Sequence, residues 1–72
     1  PNPASKSTFI DLNGIQKNVS VDIYSLSGKL IKQINFHNTD HIEITLNDIP
    51  TGMYSLRIIA DSSIFNRKLI VK

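Results

Sequence analysis

The stretch VSVDIYSLSGKLIKQINF, residues 19–36, decides the fold class. Val19, Val21 and Ile23 alternate with Ser20, Asp22 and Tyr24, the period of a strand with one face toward a core and the other toward solvent or a rim. The next residues, SLSGK, place Gly28 where a chain leaving a type I turn needs the left-handed conformation, so a tight hairpin is predicted. The returning segment, residues 30–36, sets Leu30, Ile34 and Phe36 on one face but interrupts them with Lys32, which predicts an edge strand.

Working outward, the same period recurs. STFIDL (7–12) alternates through Thr8, Ile10 and Leu12, and Asn13-Gly14 opens a turn-rich connection suited to positive φ. HNTD reads as a turn before HIEITL (41–46), which carries Ile42, Ile44 and Leu46 inward. NDIPTG then leads into MYSLRIIA (53–60), with Tyr54, Leu56 and Ile58 on one face. After DSS, the segment IFNRKLIVK (64–72) sets Phe65, Leu69 and Val71 opposite Lys68.

No window carries a helical period with caps, and there is no room for parallel crossovers. The expectation is an all-β, immunoglobulin-like antiparallel β-sandwich of six to seven strands, the seventh being a short strand near residues 14–18 or at the start. The chain is 72 residues long and is expected to be a single domain, residues 1–72, of which residues 1–6 are a Pro-rich linker entering the fold. A core of this size rarely supplies more than about 3 to 5 kcal/mol.

Composition excludes several classes. Cysteine is absent, so disulfides and thiolate metal sites are excluded and the redox compartment is undetermined. The longest apolar runs, IIA and LIV, are far too short to span a bilayer, and nothing near Pro1 resembles a signal peptide. The net charge is +2, but its cations are scattered among acids, so no nucleic-acid stripe forms. Only the last segment is one-sided: beyond Ser62, Arg67, Lys68 and Lys72 meet no acidic residue, the pattern of a charge-guarded edge strand.

Tests for chemistry return little. If Asn38 to Asp40 form a hairpin loop, His37 and His41 oppose each other with Asp40 beside them, but two imidazoles and one acid on a polar turn make a poor ligand set. No metal or cofactor is expected. No serine or threonine sits in a nucleophile elbow, and a thin sandwich leaves little space for a pocket. Asp11, Asp22 and Glu43 fall on outward positions expected to be solvated. Gly14, Gly28 and Gly52 are isolated in separate turns, so no glycine loop cradles phosphate. Asn18-Val19-Ser20 is formally a glycosylation sequon at the start of a strand. The chain is not expected to be an enzyme.

In IPTGMY (49–54), proline suits the second position of a type I turn with Ile49 first and Gly52 last. Tyr54 follows at the mouth of a core strand, where its hydroxyl is expected to bond back to the backbone of residues 46–49.

Taken together and in order, PNPA, VDIYSLSGKLI, LNDIPTGMYSLRI and RKLIVK resemble the C-terminal sorting domains of type IX secretion substrates of Bacteroidetes-type bacteria. The resemblance spans nearly the whole chain. It implies a domain at the end of a larger secreted protein, which is its cargo in cis. Such domains are recognised in the periplasm, direct the cargo through an outer-membrane translocon, and are generally removed by a sortase-type protease that joins the cargo to surface lipopolysaccharide.

Carried over, Pro1, Asn2 and Pro3 match the opening motif, Gly28 the hairpin glycine, and Pro50, Gly52 and Tyr54 the corner. Lys68, Leu69, Ile70, Val71 and Lys72 match the terminal strand. Ser25 departs from a frequent aspartate and Met53 from a branched aliphatic, and neither unsettles the match. The partners implied are translocon and sortase components, while exposed edges also allow weak self-association. The competing class is a structural or adhesive immunoglobulin- or fibronectin-like module. Against a sugar platform, the chain has no tryptophan and only five other aromatic rings.

Overall fold

The computed structural model describes residues 7–61 and 63–72, so the linker and the opening Pro1, Asn2 and Pro3 lie outside the described residues. The described residues are all strand and turn. They form β1 (Ser7–Ser25), β2 (Leu30–Thr45), β3 (Gly52–Ala60) and β4 (Ser63–Val71). All neighbours are antiparallel, in the order β2-β1-β3-β4.

Four strands replace the six or seven expected, because two predicted pairs fuse. Residues 7–12 and 19–24 are halves of β1, and residues 30–36 and 41–46 fall mainly in β2. HNTD is therefore not a turn but the middle of β2. The break expected between the halves is a bulge: Asp11 faces His41 and Gln16 faces Thr39, so five steps on β1 match two on β2. Gly14 at φ 86° and Asn38 at φ 50° supply the left-handed backbone that this mismatch needs. The Gln16 side-chain amide donates to the carbonyls of Asn13 and Gly14, both at 3.2 Å, and pins the bulge.

The bulge makes a sandwich out of one ribbon. A straight strand of β1's 19 residues would run about 63 Å, yet the longest extent of the chain is 34 Å. The β1–β2 ribbon must therefore fold over on itself. The shortest extent, 15 Å, suits two layers packed about 10 Å apart. Ile10, Ile42 and Ile44 of the folded-over half close on Val21, Ile23, Leu56 and Ile58 of the other, all in one buried cluster. Ile44, Val21, Ile23 and Ile58 are completely buried.

Local chemistry fixes the corners. Gly28 takes φ 90° behind a turn closed by its own N–H donating to the Ser25 carbonyl at 2.9 Å, as the sequence predicts. Lys32, the misfit of its face, stands at the rim of the core on edge strand β2. Its ammonium reaches Asp48 in the crossover at 3.1 Å, holding that carboxyl below its usual range chiefly by this hydrogen bond. At the β3–β4 turn, Asp61 accepts the backbone N–H groups of Lys17 at 2.9 Å and Asn18 at 3.0 Å, which lowers its pKa and ties that turn to β1 beside the bulge.

Candidate recognition edge

Among the described residues the last strand lies at one margin of the sheet, paired with β3 alone. Its side chains divide by parity. Leu69 and Val71 are buried and Phe65 half-buried on the core face, whereas Ile64, Asn66, Lys68 and Ile70 are exposed on the other. Two apolar rows cross from β3 to β4 on that outer face, Ile59 opposite Ile64 and Met53 opposite Ile70. Between them come Arg57 opposite Asn66 and Ser55 opposite Lys68. Arg67, exposed on the core side, lays its guanidinium over the Phe65 ring at 5.6 Å, an arrangement that keeps its charge at the edge.

Three of the predicted motifs converge on one end of this sheet. Tyr54 is flanked by Ser25 of β1 and Leu69 of β4, and Gly52 lies opposite Val71. Gly28 closes the neighbouring hairpin. The turn in the crossover, however, sits earlier than predicted. It spans residues 46–49, where the Ile49 N–H donates to the Leu46 carbonyl at 3.1 Å, so Pro50 follows the turn rather than occupying its second position.

The buried Tyr54 ring accordingly sends its hydroxyl to the Pro50 carbonyl at 2.6 Å, one residue past the stretch expected. Gly52 adopts φ 155°, which side chains rarely take, directly beneath the Tyr54 ring. Tyr54→Phe is expected to lower stability by about 1 kcal/mol, read as a fall in the urea midpoint with an unchanged slope. A cost below about 0.5 kcal/mol would reduce the corner to ordinary packing.

Other candidates disperse. His37 and His41 lie along one strand rather than opposing each other: the first pairs with Asn18 at 3.1 Å and the second with Asp40 at 2.9 Å. Among the described residues no group of three or more His, Cys, Asp or Glu converges as metal ligands would. Asp22, expected to be solvated, is 7% exposed; Gln33 donates to it at 2.7 Å and the Tyr24 hydroxyl at 3.5 Å. That cluster was hidden because Gln33 meets Asp22 only through strand pairing.

An open hollow of about 340 Å³, more than the sequence led us to expect, lies over Asn18, Ser20, Asn35, Phe36, His37 and Asp61. Its chemistry is largely committed: both Asp61 oxygens accept backbone N–H groups, and His37 and Asn18 bond each other.

The described chain is thus a small antiparallel β domain with a cationic margin. Its whole length, residues 1–72, matches the family described as secretion system C-terminal sorting domain, and the chain belongs to that family of type IX secretion tails. No curated protein and no solved structure matches it. Membership makes it part of a secreted protein that passes through the periplasm toward the outer membrane or the exterior, and it implies contact with the secretion machinery and a cargo in cis.

Proposed function

We propose that this domain is a folded address rather than an enzyme. It ends a larger cargo protein, is read by the type IX translocon after the cargo enters the periplasm, and is cut off by a sortase component once the cargo has crossed the outer membrane. The observation that carries this reading is the build of β4, whose Leu69 and Val71 are buried while Arg67, Lys68 and Ile70 are exposed along a margin whose outer ladder no other described strand fills. A receptor reads such a margin by adding a strand, with backbone bonds giving affinity and the cations giving selectivity.

On this reading Lys68, Leu69, Ile70, Val71 and Lys72 form the gripped segment. Gly28, Pro50, Gly52 and Tyr54 shape the end of the sheet that presents it. Pro1, Asn2 and Pro3 connect the address to its cargo.

Fusing residues 1–72 behind a periplasm-directed fluorescent reporter tests the proposal in a bacterium that has the type IX apparatus. The reporter is expected at the cell surface, and in the periplasm when the translocon is deleted. Retention in the competent strain, or surface delivery without the translocon, would refute it.

A further inference from the structure

We infer that the strand added to β4 carries two adjacent acidic residues between two large apolar ones, and that a second copy of this domain is refused. The inference rests on the strand-addition reading above and specifies its partner. On the outer face, the rows Ile59–Ile64 and Met53–Ile70 stop at the margin with Ile64 60% and Ile70 55% exposed. An added strand that sets apolar side chains beside these two extends each row to three residues and removes both from water. Between the rows stands Lys68, which has no ion pair among the described residues, and on the other face Arg67. Directly opposed residues of neighbouring strands sit close enough that opposite charges attract and like charges destabilise.

For an antiparallel partner, the residues opposite positions 70 to 64 read apolar, any, acidic, acidic, polar, any, apolar. The chain's own β4 cannot supply this. Overlapped along its length with both cores on one side, it sets Arg67 against Arg67 of the copy. The neighbouring registers that keep the cores together set Lys68 against Lys68 in one direction and, in the other, Ile64 against Lys68, which leaves Ile64 with no apolar neighbour across the seam. Self-association through β4 is therefore disfavoured, whereas a peptide with two acids is selected.

The probe is the peptide Val-Val-Glu-Glu-Thr-Val-Val, compared with versions carrying Thr-Thr or Lys-Lys in place of Glu-Glu. Each is titrated into the 72-residue chain while backbone amide shifts are followed by NMR, whose dispersion also reports the fold. The acidic peptide is expected to bind about fivefold tighter than the neutral one and the lysine peptide about fivefold weaker, with shifts centred on residues 64–70. At about 1 M salt the differences should fall below about twofold. The double variant Arg67→Glu, Lys68→Glu should reverse the order.

Equal binding of all three peptides at β4 would overturn the acidic requirement while leaving strand addition intact. If no peptide perturbs β4, or the shifts centre on β2, strand addition at this edge fails as well. A dimer in sedimentation whose contacts map to β4 would overturn the refusal of a second copy.

Discussion

Deleting Leu69 to Lys72 is expected to strand the parent protein in the periplasm and to leave the isolated domain unfolded. The deleted piece removes two side chains from the core, Leu69 at 6% exposure and Val71 at 3%. Each is worth about 1.5 to 3 kcal/mol when fully buried, so the loss reaches about 3 to 6 kcal/mol. That matches or exceeds the total of about 3 to 5 kcal/mol that a core of this size supplies. Tyr54, Met53 and Gly52 lose their β4 partners at the same time. Circular dichroism and fractionation of cells check the two halves of the expectation. A truncated chain that stays folded and still reaches the surface would refute both.

The second large effect falls far from the margin. Ile58→Ala, at a position with no exposure, is expected to cost about 2 to 5 kcal/mol through lost transfer energy and the cavity left behind. Ile58 pairs with Val21 on one side and Phe65 on the other, so it joins the strand nearest the bulge to the strand at the margin. A urea titration should find the variant largely unfolded without denaturant. Ile64→Ala, by contrast, removes a side chain 60% exposed and should shift stability by less than about 0.5 kcal/mol. Equal costs at the two positions would mean that the core is not where the buried cluster places it.

These contrasts trace what can be read from residues alone. The alternation of Val19, Val21 and Ile23, and the glycine at position 28, are local signals, because a two-residue period and a left-handed turn need no knowledge of the rest of the chain. The margin was legible for a similar reason, since Arg67 and Lys68 lie on a segment without acids. The fusion of six predicted strands into four was not. A polar run such as HNTD looks like a turn, and only its register with the β1 bulge makes it strand. Asp22 was misjudged as solvated because Gln33, 11 positions away, reaches it across the ladder. The Tyr54 acceptor was missed by one residue because the crossover tightens at Leu46–Ile49, ahead of the proline.

The central claim is that the charge and shape of β4 are read by another protein, beyond their part in closing the sandwich. Surface delivery of the reporter fused to the Arg67→Glu, Lys68→Glu chain separates the two, because both side chains are exposed and their loss leaves Leu69 and Val71 in place. Delivery should fall at least tenfold while the unfolding free energy of the purified chain, from urea titration, stays within about 1 kcal/mol of the parent, the loss of the Arg67–Phe65 stacking included. Undiminished delivery of a folded, charge-reversed chain would contradict the claim.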